Sequence, residues 1–114
     1  MSTPKQKNFS AAQLEAMAGL FRALAEPGRL TLLHALQGGP MSVNELVETC
    51  AMKQANVSKH LGVLHDCRLV KRKRNGTCIH YAIADPMVFA LCKLVCGKMQ
   101  RDAGAAAELF APDI

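Results

Sequence analysis

Within the eight residues Gln54 to Leu61, five polar side chains, Gln54, Asn56, Ser58, Lys59 and His60, surround two apolar ones, Val57 and Leu61. A spacing of four puts Val57 and Leu61 on one side of a helix and turns the polar set away from it. Gln and Asn each carry a donor and an acceptor that match the edge of adenine, while Lys and Ser suit guanine or phosphate. Ten residues further on, Lys71-Arg72-Lys73-Arg74 form an unbroken cationic run. Side chains of that type neutralise phosphates without reading sequence. A polar outer face alone would describe any amphipathic helix, and a basic run alone could be a solvated surface. Together they match a polyanion with readable edges.

The elements that would position these groups follow from the flanking residues. Ser42 and Glu45 have the S-x-x-E spacing of a capping box, which opens a helix carrying Leu46 and Val47 inward and fading near Cys50-Ala51-Met52. The polar-faced helix starts close to Gln54 and continues through Leu64. Two short helices joined by about four residues have helix-turn-helix spacing. Beyond Cys67-Arg68 the period changes to two: 69–74 and 77–83 flank Asn75-Gly76, the favoured pair of a type I′ hairpin. Thr77, Ile79, Tyr81 and Ile83 are expected on its inner side, with Cys78 and His80 outside.

Upstream, Leu14, Met17, Ala18, Phe21 and Leu24 recur at helical spacing, predicting a helix over 9–24. Pro27 suits the first turn of a second helix, with Leu30, Leu33 and Leu36, ending at Gly38-Gly39 and Pro40. Downstream, Asp85-Pro86 opens a last helix, Met87 to about Arg101, with Pro86 at its first position and an apolar stripe of Val88, Leu91, Cys92, Val95 and Met99. The expected architecture is mainly α with a small β-hairpin (α+β), in the order α-α-α-α-β-β-α. The expected organisation is a disordered start over 1–8, one domain over 9–102 and a tail over 103–114.

Composition agrees with a nucleic-acid partner. Over 114 residues the net charge is +5, the sequence pI is about 9.1, and seven of the fourteen Lys and Arg lie between Lys53 and Arg74, opposed there only by Asp66. The N-terminal segment has no apolar stretch of the kind that targets secretion, and no run approaches a membrane span, so a cytoplasmic protein with no membrane partner is expected. Five irregularly spaced cysteines do not read as a disulfide framework. No C-x-x-C, glycine-rich phosphate loop or H-E-x-x-H is present, and no nucleophile has an evident base, so an enzyme, such as a small thiol oxidoreductase, finds no support.

Ala25-Glu26-Pro27-Gly28-Arg29-Leu30, Ser42-Val43-Asn44-Glu45-Leu46, Gln54 to Leu61 and Arg74-Asn75-Gly76-Thr77 to Tyr81 resemble, in order and spacing, the ArsR/SmtB family of bacterial winged helix-turn-helix repressors. The resemblance spans about residues 12 to 101. It implies a homodimer through the first and last helices, bound to an inverted-repeat operator in double-stranded DNA and released by an effector, often a metal ion. The DNA-contacting set it supports is Gln54, Asn56, Ser58, Lys59 and His60 on the reading helix, with Arg72, Lys73, Arg74 and Asn75 on the wing. The apolar stripes of the first and last helices exceed what a monomer core needs, which agrees with a dimer.

The chain departs from metal-sensing members of that family. Where relatives carry Cys-x-Cys after Glu-Leu, it has Glu45-Leu46-Val47-Glu48; where others carry Asp-x-His, it has Asp85-Pro86-Met87. A third subgroup pairs a cysteine at the Cys67 position with one four residues earlier, where Val63 stands here. Its metal ligands are therefore unknown, and no cofactor is required for the fold. What remains are thiols: Cys50 beside the reading unit, Cys92 and Cys96 at i and i+4 on the last helix, and Cys67 and Cys78. Each could be a small buried hydrophobe. The leading expectation is sensing of reactive sulfur or oxidants through Cys50 with Cys92 or Cys96; the alternative is a soft metal or metalloid bound by cysteines. His34 is expected in a core or interface, and His65 and His80 at the surface.

Overall fold

The computed structural model describes residues 8–103, as one unit up to Ala84 and a second from Asp85. Residues 1–7 of the expected disordered start and 104–114 of the expected tail lie outside the described residues.

In the first unit, α1 (Ala11–Leu24) begins two residues later than its apolar periodicity suggests, because Ser10 caps it. The Ser10 hydroxyl accepts from the Gln13 amide, and the Gln13 side chain accepts in turn from the Ser10 amide. Next, α2 (Pro27–Leu36) opens on Pro27 at its first position with Glu26 as cap. A two-residue strand, β1 (Met41–Ser42), leads directly into α3 (Val43–Cys50), whose Ser42–Glu45 capping box forms as its spacing predicts. The reading helix is α4 (Gln54–Asp66). Two longer strands follow, β2 (Val70–Asn75) and β3 (Cys78–Ile83), in an antiparallel sheet of order β1-β3-β2.

The core of this unit is aliphatic. Leu32, Leu33 and Leu36 of α2 pack with Leu46 of α3 and with Val57, Leu61 and Leu64 of α4, closed by Leu69 and Val70. All are essentially inaccessible to water, and burial of one such side chain is worth about 1.5–3 kcal/mol. Two turns hold α4 between its neighbours, and each takes a left-handed residue that is not glycine. Ala51 has φ 52° and lets Met52 donate to the Val47 carbonyl as α3 ends. Arg68 has φ 61°, and the amides of Arg68 and Leu69 return to the carbonyls of His65 and Leu64. That pair of bonds is a Schellman closure.

The hairpin departs from expectation by one residue. Asn75 pairs with Cys78, so the two connecting residues are Gly76 and Thr77 rather than Asn75 and Gly76. Gly76 has φ +70° and Thr77 does not share it, the pattern of a II′ turn rather than I′. Glycine thereby takes the one left-handed position and asparagine avoids it. His80 also differs from its expected surface placement. On the central strand it is flanked by Lys73 and Ser42, is half-buried, and has Nδ1 out of water with no hydrogen-bond partner among the described residues.

The second unit contains α5 (Met87–Arg101). Asp85 does supply its opening bond, accepting from the Met87 amide. Pro86 is the cap itself rather than the first helical residue. Along α5, Cys92, Leu94 and Val95 are exposed, while Leu91, Cys96 and Met99 are half-buried.

Candidate nucleic-acid interface

Val57, Leu61 and Leu64 fasten α4 with no exposure to water. Gln54, Asn56, Ser58 and Lys59 are exposed, as their helical positions require. Lys53, the cap residue, provides no side-chain acceptor to the first turn. The free amides and the positive end of the helix dipole therefore lie beside Gln54 and Asn56.

On the wing, Lys71, Arg72, Lys73, Arg74 and Asn75 are all exposed. Arg72 lies opposite Tyr81 and Arg74 opposite Ile79 on one face; Lys71 and Lys73, opposite Ala82 and His80, lie on the other. Cations thus project from both faces of the ribbon. Among the described residues none of these four, nor Lys53 or Lys59, joins an ion pair. With β2 packed against α4, helix and wing belong to one folded unit.

His60 leaves the outward set. Its side chain is 16% exposed and its Nε2 lies 3.6 Å from Glu26 Oε1. Its Nδ1 is 3.3 Å from an Arg29 guanidinium nitrogen. The Arg29 guanidinium also donates from Nε to the Ala23 carbonyl at 2.5 Å and from its second terminal nitrogen to the Arg22 carbonyl at 3.1 Å. Glu26 accepts from the amides of Gly28 at 2.6 Å and Arg29 at 3.1 Å. Partial desolvation alone would raise the Glu26 carboxyl; those two amides, with His60 and the Arg29 guanidinium beside it, outweigh it and hold the pKa below its ordinary value. A Cβ on Gly28 would sit 2.8 Å from His60 Nε2 and 2.9 Å from Glu26 Oε1, so the close approach requires glycine.

The thiols are dispersed. Cys50 is half-buried at the end of α3, where it lines a shallow groove with Thr31, His34 and Gln37. Burial pushes its pKa above the ordinary thiol value. His34 is exposed there, which excludes the core half of its expected core or interface placement. Cys67 closes α4 and Cys78 is exposed near the wing tip, while Cys92 and Cys96 belong to the second unit. Among the described residues no three His, Cys, Asp or Glu side chains are gathered as a metal site would need.

The model of the bacterial regulatory protein arsR family matches residues 26–72, from the Glu26 cap through α4 into the wing. A transcriptional repressor SmtB homolog of Synechocystis is 36% identical over 92 residues, 81% of this chain and 70% of that protein. The chain belongs to the ArsR family. A "probable mercury resistance operon repressor" of Streptomyces lividans is 40% identical over 80 residues. That match takes in 70% of this chain but only 64% of the longer relative. Among solved structures, the homodimeric winged helix-turn-helix DNA-binding domain of a possible ArsR-family regulator from Mycobacterium bovis superposes with a TM-score of 0.71 at 30% identity. It covers 84% of this chain and 92% of the other. ArsR-family membership thus rests on the same stretch that carries the exposed polar face and the cationic ribbon.

Proposed function

We propose that this ArsR-family protein is a homodimeric transcriptional repressor that reads an inverted-repeat operator and is released from it through chemistry at its cysteines. One observation carries the DNA reading. Gln54, Asn56, Ser58 and Lys59 stand exposed above a fully buried Val57–Leu61–Leu64 stripe, beside a ribbon whose four cations have no protein counter-charge among the described residues. Gln54 and Asn56 can pair with adenine edges; Lys59, the α4 amides and Arg72, Lys73, Arg74 and Asn75 are assigned to phosphate or the minor groove. Such a binding module transfers no group and needs no catalytic residue.

A dimer is supported by the α1 stripe. Leu14, Met17 and Phe21 are 52%, 38% and 53% exposed, and an apolar stripe of that kind favours cover by another surface. On α5, Leu94 and Val95 are 70% and 50% exposed. Covering these residues with a second copy would set two reading helices at a fixed spacing, the geometry an inverted repeat needs.

For release, the leading reading remains a thiol-reactive effector, reactive sulfur or an oxidant, acting at Cys50, Cys92 or Cys96. The raised Cys50 pKa lowers its thiolate fraction near neutrality, which disfavours Cys50 as the first thiol attacked. A second reading, a soft metal or metalloid taken by thiolates, is supported by the mercury-linked name of one relative.

Anisotropy of a labelled duplex, carrying the inverted repeat upstream of the protein's own gene, tests the first part. Binding should exceed that of a scrambled duplex and weaken as salt rises. Equal binding to both, or no salt response, would refute it. For release, wild type and Cys50→Ser are exposed in turn to polysulfide, peroxide, arsenite and mercuric ion, with mass spectrometry of the intact chain. Release of Cys50→Ser as readily as wild type would remove Cys50 from the sensor.

A further inference from the structure

His60 sits on the reading helix, but its ring is turned against the α2 N-terminus rather than out to solvent. Its two ring nitrogens face two different partners of the α2 N-terminus, Arg29 at Nδ1 and Glu26 at Nε2. Arginine has only donors, so the Nδ1 that receives it is unprotonated, and the ring proton resides on Nε2, toward the Glu26 carboxylate. Arg29 divides its fork among three anchors. Nε and one terminal nitrogen hold the carbonyls of Ala23 and Arg22, where α1 ends, and the other terminal nitrogen holds His60. The guanidinium is planar and rigid, so these three directions are fixed relative to one another.

We propose that His60 is a positioning residue for DNA reading: through Arg29 it fixes the setting of α4 against the end of α1. This rests on the DNA-reading assignment above. Asn56 is one helical turn before His60 on the same side of α4, so a rotation of the helix at His60 displaces Asn56 by a similar amount. Hydrogen bonds to base edges tolerate only a few tenths of an ångström around their optimum. Gly28 supports a specified approach rather than a chance one, because any side chain there would meet the ring. The same strut links α4 to α1, the helix whose Leu14, Met17 and Phe21 are assigned to the partner copy, so a change of dimer packing at α1 reaches the reading helix by a short rigid path.

Two amide substitutions separate this role from simple packing. His60→Asn places an acceptor, Oδ1, where Nδ1 stands and keeps the Arg29 bond. His60→Gln places its polar atoms one bond further out and loses it. With full-length protein and the duplex from its own upstream region, His60→Asn should bind within about threefold of wild type. His60→Gln should bind about tenfold more weakly, or about 1.4 kcal/mol. Rescue by Asn and not Gln is the expected result. Equal affinities for His60→Gln and wild type, or equal losses in both variants, would overturn the proposal while leaving the DNA reading intact. Failure of wild type itself to prefer the repeat would instead refute that reading, and the proposal with it. Should His60→Gln not fold, nitrogen-15 NMR of wild type on the duplex decides: an unprotonated Nδ1 and protonated Nε2 at His60 are required, and any other protonation pattern contradicts the strut.

Discussion

Replacing Arg74 with Ala should flatten the salt dependence of operator binding by an amount set by the dimer. Arg74 is exposed near the end of β2 and joins no ion pair among the described residues, so the fold should lose no more than about 0.5 kcal/mol. Each phosphate neutralised contributes about 0.9 to the slope of log K against log salt, and two wings present the residue twice, so the slope should shrink by about 1.8. Over a fourfold rise in salt, from about 50 to about 200 mM, the mutant's affinity should therefore fall about 12-fold less than wild type's. Removing Arg72 as well should take the slope change to about 3.6. Fluorescence anisotropy at four or five salt concentrations measures this directly. Parallel lines for wild type and both mutants would refute the assignment of the wing to phosphate, whatever the affinity at a single salt concentration. A weaker mutant with an unchanged slope would mean that Arg74 acts through the fold or through a base.

Gly28→Ala should lower stability by about 1–2 kcal/mol, overpacking against His60 and Glu26 outweighing a gain in helix propensity. A thermal melt should show a Tm fall of at least about 4 °C, and an unchanged or higher Tm would show that the cluster yields freely. Phe21→Glu removes an exposed α1 ring worth about 1.5–3 kcal/mol per copy when covered. Counted twice in a symmetric interface it should weaken the dimer at least about 100-fold, and sedimentation of an intact dimer would exclude α1 from the interface. Ala51→Gly should raise stability by up to about 1 kcal/mol, since relief of the left-handed strain exceeds the added unfolded-state freedom. Chemical denaturation showing a loss would mean that the Ala51 methyl makes a contact worth more than that strain.

Local signals were legible in the sequence wherever a few neighbouring residues decide the outcome. The Ser42–Glu45 box, Pro27 in the first turn of α2, and the limits of α3 and α4 depend on residues within one or two turns of each other. What was not legible depends on distant partners or on the sheet. β1 has only two residues and no periodicity to detect; it exists because β3 offers it an edge. The hairpin register follows from the pairing of the two strands, and the sheet prefers Gly76 to carry the positive φ alone. Ala51 and Arg68 adopt left-handed backbone without being glycine, so no residue type announced those turns. His60 was assigned outward with the rest of the polar set because Val57 and Leu61 mark the buried side, whereas its partners Glu26 and Arg29 lie some thirty positions earlier in the chain. A glycine just inside the α2 start was the single hint, and it takes on meaning only when the ring is seen beside it.

The central claim, that the exposed start of α4 and the cationic ribbon together meet the duplex, is tested most directly by amide chemical-shift mapping as a duplex from the upstream inverted repeat is added. The largest changes should fall on Gln54 to Lys59 and on Arg72 to Asn75, with the Leu14–Phe21 stripe of α1 unaffected. Changes centred on α1 or α5, with α4 and the wing silent, would contradict it.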